Sequence, residues 1–166
     1  FFVKGGEFSI ESFLCNRALA QKYHGGSMAI IRLAPADYHR YHFPADGEVS
    51  TSTSIKGDYY SVSPIALGKS LEIFCRNQRE YSLLKTKQYG EILYSEIGAT
   101  MVGSIIQTYK ANHTVQKGEE KGYFAFGGST IVLLFEKDKI HFNIDLLENT
   151  QNGFETTILM GEQIAQ

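Results

Sequence analysis

The 166-residue chain has no tryptophan, three prolines and two cysteines. Cys15 and Cys75 stand far apart with no CxxC pair or Cys/His spacing around either. This signals neither a disulfide framework nor a zinc site and leaves two buried, reduced thiols as the expectation. Long hydrophobic runs are also missing. The run IVLLF at 131–135 falls far short of the ~20 apolar residues that a spanning helix needs. Neither sign of charge dominates: 16 basic against 18 acidic residues give a net of −2, so no basic field invites nucleic acid, and none is expected as a partner. The first residues, FFVKGGEF, carry no initiator methionine and no basic n-region; an internal fragment or a processed chain is expected.

What the chain does have is apolar and aromatic material. Hydrophobic residues make up 43 % of it, with 10 Tyr and 11 Phe, enough for one compact domain but not for two separate cores. Short stretches of β-branched and aromatic residues, punctuated by Gly, Asp and Asn, predict strands and turns along most of the length. SMAIIRL at 27–33, ended by Ala34 and Pro35, reads as a buried strand. REYSLLKTKQYGEILYSEIG predicts a hairpin with its tip at Lys87–Gly90, and TIVLLFEKDKIHFNI a second one turning at 137–139. Strand and turn are also expected in YHFPADGEVS and GDYYSVSP. Helices are few: a short one near Ser9 to Leu14, a piece in PIALGKS at 64–70 and a frayed turn at 145–149. The class is mainly β (α+β), a sheet or sandwich core with a few short helices, in a single domain over 1–166.

Two segments concentrate polar chemistry. LAPADYHRYHFPADG at 33–47 holds His39 and His42, which an extended chain sends to opposite faces; a solvated loop is the plain reading, although histidine exchanges protons near neutral pH. FAFGGSTIVLLF at 124–135 sets glycines and a hydroxyl against an apolar strand, which alone reads as a turn. The resemblance of His24-Gly25-Gly26 to a lipase oxyanion motif fails as an argument for a Ser129 hydrolase, because residue 131 is Ile where GxSxG needs Gly. The glycines of EIGATMVGSI lack the Lys-Ser/Thr of a P-loop and read as strand glycines.

Taken in order, RLAPADYHRYHFPADG, EIGATMVGSI and KGEEKGYFAFGGSTIVLLF resemble the signature blocks of the phosphatidylserine decarboxylase family, and KGGEFSIESFL and the turn before SMAIIRLAP fit the same pattern. The resemblance covers almost the whole chain. It implies a proenzyme that cuts itself between Gly128 and Ser129 into a β chain, 1–128, and an α chain, 129–166. Ser129 would supply the nucleophile and become a covalent pyruvoyl group, with no metal and no pyridoxal phosphate. Gly127 and Thr130 complete the GGST motif, with Thr130 helping to orient the site. His42 is the implied base for Ser129, and His39 the residue assisting decarboxylation and protonation. The family's triad aspartate belongs to a block expected upstream of Phe1; Asp46-Gly47 resembles that block but follows the histidines and is not assigned to it. The implied reaction converts phosphatidylserine to phosphatidylethanolamine and CO₂. The alternatives are a family member acting on a soluble amino acid, or an unprocessed, inactive fragment. The implied setting is peripheral at a membrane, on the cytoplasmic face in a bacterium, with a phospholipid substrate and the family's usual homodimer.

Overall fold

A computed structural model describes residues 2–3, 6–7, 9–67, 70–99, 104–125 and 129–166, of which 2, 3, 6, 7 and 64 are described by their backbone alone. A small ladder pairs β1 (Phe2–Val3) with β2 (Gly6–Glu7). Helix α1 (Ile10–Leu14) follows, started as expected by Ser9, whose Oγ accepts the Ser12 N–H. Asn16 caps α2 (Arg17–Lys22) in the same way. Strand β3 is Ser27–Leu33, a strand where the sequence predicts one, but it lies at the edge of the main sheet and is half-buried along its length instead of buried. The chain continues through β4 (Arg40–His42), β5 (Gly47–Val49) and β6 (Thr53–Ile55). Helices α3 (Pro64–Leu67) and α4 (Glu72–Arg76) precede β7 (Arg79–Lys85) and β8 (Glu91–Ile97). The remaining elements are β9 (Ser104–Gln107), β10 (His113–Val115), β11 (Glu120–Ala125), β12 (Ser129–Phe135) and α5 (Ile144–Gln151).

The main sheet has the order β10-β5-β7-β8-β12-β3, with β6 also on β7, and a smaller sheet has the order β4-β11-β9. Strand alternation divides the apolar residues of the main sheet between two cores. Val132, Leu134, Leu93, Ile97 and Ile30 pack against Phe13, Leu14, Ala20 and Phe74 of the helices. Ile131, Leu133, Phe135, Ile92, Tyr94 and Ile31 face Tyr41, Phe124 and Ile105 of the small sheet. The result is helices on one face of the main sheet and the small sheet on the other, the mainly β class expected from the sequence. β12 belongs to both cores, which explains why its sequence is a continuous apolar run: every residue in it is buried.

The β7–β8 hairpin forms as expected, with Gly90 at φ 69° closing its turn. The second expected hairpin does not form. Asp138 does turn the chain, at φ 59°, but β12 takes β3 and β8 as partners, and Phe142 instead bridges Ala165. A strand already paired on both edges has no ladder left for the segment that follows it. GDYYSVSP contributes a single bridge, Asp58 to Asn77, in place of a strand, and the frayed turn at 145–149 is a full helix, α5. The thiols also differ from expectation: Cys15 caps α1 at φ 48° and is exposed, while Cys75 is half-buried, its pKa raised by desolvation.

Candidate functional site

The register of the sheets decides where the GGST segment lies. β11, which ends at Ala125, belongs to the small sheet, and β12, which begins at Ser129, to the main sheet. Gly127 and Gly128 lie outside the described residues. Ser129 opens β12 directly opposite Leu33 of β3, and Thr130 stands between Arg32 of β3 and Ile97 of β8. Alternation puts Ser129 on the face of Ile131, toward the small sheet, and Thr130 on the face of Val132, toward the helices. Both side chains are fully buried, and neither Ser129 Oγ nor Thr130 Oγ1 has a hydrogen-bond partner among the described residues. A buried hydroxyl without a partner carries a desolvation penalty of about 1–3 kcal/mol, and such groups concentrate where function requires them.

The histidines reach this region by two short routes. Leu33, opposite Ser129, begins the turn that leads through Asp37 to His39, and Asp37 Oδ2 tightens it by accepting the Ala34 N–H at 2.7 Å. From the other side, Phe124, near the end of β11, donates its N–H to the His39 carbonyl at 3.0 Å. The segment holding the histidines is thus tied to β11 and follows closely on β3, the partner of Ser129, but neither imidazole hydrogen-bonds Ser129 among the described residues.

The state of the His39 ring follows from its contact. Nδ1 lies 2.6 Å from the Asp37 carbonyl oxygen, and a carbonyl can only accept, so Nδ1 carries the proton. In the neutral ring, Nε2 therefore presents its lone pair, and that atom is buried without a partner among the described residues. His42 follows Tyr41, whose ring is 1 % exposed in the inner core. Alternation sends His42 to the opposite side of β4, where its ring stacks on Tyr38 at 5.9 Å, and its Nδ1 is also buried without a described partner. Asp46 is engaged elsewhere: its Oδ1 accepts the Lys117 N–H at 2.7 Å.

Motif reading does not single out the buried polar group beneath this site. Lys121 and Glu96, both closed to solvent, form an ion pair. Gln107 bonds both of them, Oε1 accepting from Lys121 Nζ at 2.9 Å and Nε2 donating to Glu96 at 3.1 Å. The same Nε2 also reaches Glu80. The rings of Tyr41, Tyr94 and Tyr109 surround the ammonium at 4.9–5.6 Å. Glu96 pairs with Ile131 across the β8–β12 ladder, two residues along from Ser129 and on the same face. Desolvation raises the Glu96 pKa, opposed in part by Lys121. It also pushes the Tyr109 hydroxyl up to about 12 and that of Tyr94 well above its usual value. The sequence signal was a lysine inside an otherwise strand-like segment, GEEKGYFAF. In the structure that lysine falls at an irregularity in the β11–β4 register between Glu120 and Gly122.

Among the described residues no cluster of three metal-ligating side chains occurs, and no helix is long and apolar enough to cross a membrane. The fold is β-rich, with a buried serine at the head of a strand paired on both edges and the two histidines at and just before β4. The chain belongs to the phosphatidylserine decarboxylase family, whose model matches residues 1–166. It is 58 % identical over 163 residues to a phosphatidylserine decarboxylase proenzyme of Fusobacterium nucleatum, covering 98 % of this chain and 54 % of that protein. It is 56 % identical to the corresponding proenzyme of Clostridium novyi, covering 98 % and 55 %, and 50 % identical to that of Ruminiclostridium cellulolyticum, covering 98 % and 54 %. The chain thus spans about half the length of these relatives.

Proposed function

We propose that this chain is the catalytic part of a self-cleaving, pyruvoyl-dependent phosphatidylserine decarboxylase. The observation that carries the reading is the Ser129 hydroxyl, buried and without a hydrogen-bond partner among the described residues, at the head of β12 within the GGST motif. Ser129 Oγ attacks the Gly128 carbonyl and converts the amide to an ester. β-Elimination then frees the upstream chain with a terminal carboxylate, and hydrolysis of the dehydroalanine left at 129 yields the pyruvoyl end and ammonia. A serine hydroxyl is a weak nucleophile until a base takes its proton; His42 holds that role by family pattern. Gly127 and Gly128 allow the close backbone approach the attack needs, and Thr130 fixes the start of β12.

The residues present suit such an end. After the cut, Ser129 would be the first residue of the α chain, and β12 would stay anchored by ladders to β3 over its whole length and to β8 from Thr130 to Leu134. The pyruvoyl group supplies the electron sink for loss of CO₂. His39, whose Nδ1 is held by the Asp37 carbonyl, is by family pattern the residue that manages the proton returning to the substrate α-carbon. Phosphatidylserine places the work at a membrane surface, as a peripheral enzyme on the cytoplasmic face in a bacterium, and the assembly is the family's homodimer.

The test measures CO₂ release by the full-length protein from phosphatidylserine vesicles and from free amino acids, with Ser129→Ala as the control. The reading expects release from the vesicles alone and none from the variant. Release from free amino acids at an equal or higher rate would transfer the activity to a soluble substrate. Equal release by the Ser129→Ala variant would remove the role of the motif.

A further inference from the structure

Across the main sheet at the level of Thr130 runs one row of residues on the helix-side face: Arg32, Thr130, Ile97 and Arg79. The two arginines at its ends are in different states. Arg79 is 1 % exposed, and its guanidinium is committed to the backbone carbonyls of Phe13, Asn77 and Ser12 at 2.7, 2.8 and 3.2 Å. Arg32, whose side chain is 26 % exposed, pairs with Glu155: Nε and one terminal nitrogen both donate to Oε2, at 3.3 and 2.9 Å. Glu155 is 41 % exposed on the irregular segment after α5. Exposed pairs of this kind are worth about 0–1 kcal/mol, so a competing anion can displace the carboxylate.

We propose that Arg32 takes the phosphodiester of the substrate and that Glu155 occupies its guanidinium until the lipid arrives; this rests on the decarboxylase reading. Arg32 stands one cross-strand step, roughly 5 Å between Cα atoms, from Thr130, the neighbour of the residue that would carry the reactive carbonyl. In phosphatidylserine only a methylene and an ester oxygen separate the α-carbon from the phosphorus, so the phosphate must lie close to the head of β12. Of the other cations nearby, Lys121 is enclosed with Glu96 on the face that carries Ser129 and Arg79 is spent on carbonyls, while Arg40, paired with Glu120 at 2.7 Å, lies on β4 and not on a strand beside Thr130. A guanidinium matches two phosphate oxygens with parallel N–H donors, whereas here both donors share one carboxylate oxygen, a poorer fit. The exchange would also uncouple two chains, since Arg32 falls in the β chain and Glu155 in the α chain.

The test uses full-length protein with Arg32→Gln, Arg32→Lys and Glu155→Gln, each first shown by mass to be cleaved like the parent. Steady-state decarboxylation is measured on phosphatidylserine vesicles, and binding of soluble glycerophosphoserine is measured by calorimetry. Expected for Arg32→Gln is a KM raised about tenfold to a hundredfold with kcat little changed, and glycerophosphoserine affinity lowered by a similar factor. Arg32→Lys recovers part of both, and Glu155→Gln lowers KM. Unchanged KM and affinity in Arg32→Gln overturn the proposal, as does a Glu155→Gln variant with raised KM. Loss of cleavage in both Arg32 variants would assign the residue to structure and also overturn it. A parent that binds glycerophosphoserine through Arg32 but releases no CO₂ would support the phosphate site and count against the decarboxylase reading alone.

Discussion

Lys121 and Glu96 form an ion pair closed to solvent on the face of the main sheet that also carries Ser129. Removing both charges from water costs several kcal/mol each, and only close pairing with further hydrogen bonds offsets that cost. Gln107 and the three tyrosine rings supply the rest of the lining. The pair anchors β11, the strand that runs into the GGST segment, onto β8, a neighbour of β12.

Breaking the pair from one side leaves a buried charge alone. Lys121→Met or Glu96→Gln should each lower stability by about 3–5 kcal/mol, whereas Lys121→Met with Glu96→Leu should recover most of the loss, because an apolar replacement of similar volume avoids the desolvation penalty. Urea denaturation of the three variants checks this. A double variant as weak as the singles would show that the charges themselves are required.

The pair also sets a pH dependence. The Glu96 pKa is raised in the native state by desolvation, so the native protein keeps a proton that the unfolded chain releases. From the ordinary carboxylate value up to the raised native value, stability therefore falls as pH rises. Replacing Glu96 by Gln in a Lys121→Met background removes that slope. Denaturation midpoints measured across the acidic to neutral range test it, and an unchanged slope would assign the titration to another group.

Much of this architecture was legible in the sequence. The apolar run 131–135, the strand at 27–33 and the β7–β8 hairpin follow from period and turn chemistry, which are local signals. The failed second hairpin was not legible, because nothing in 136–143 records that both edges of β12 are already taken. The site divides in the same way. Ser129, Thr130, His39 and His42 stand out as motif residues, but the partnering of Lys121 with Glu96 is a contact between strands distant in sequence. The exposure of Cys15 depends on a helix C-cap in the left-handed region that residue type alone does not announce.

Gly122 is fixed by packing. A Cβ there would meet the Ile106 carbonyl oxygen at 2.2 Å and the Tyr41 hydroxyl at 2.7 Å. Gly122→Ala should destabilise by about 1–3 kcal/mol through overpacking and slow self-cleavage by shifting β11. Thermal unfolding together with a cleavage time course reads both effects.

Leu134, fully buried between Met28 and Leu93 in the ladders, belongs to the segment that would become the α chain. Leu134→Ala should cost about 2–5 kcal/mol, and after cleavage it should let the two chains separate at lower denaturant than in the parent. Size-exclusion chromatography in graded urea measures this.

The histidine roles separate by timing. His42→Ala should block the appearance of cleaved chains, while His39→Ala should cleave yet release little CO₂. The reverse pattern would give the base role to His39, whose Nε2 lone pair is buried and fixed by the 2.6 Å contact of Nδ1 with Asp37.

The central claim is that Ser129 becomes a new chain end. Intact mass of the denatured full-length protein tests it most directly. The account predicts two chains divided between 128 and 129, the smaller one blocked to N-terminal sequencing and Ser129→Ala leaving a single chain. An undivided parent chain that retains serine at 129 would contradict it.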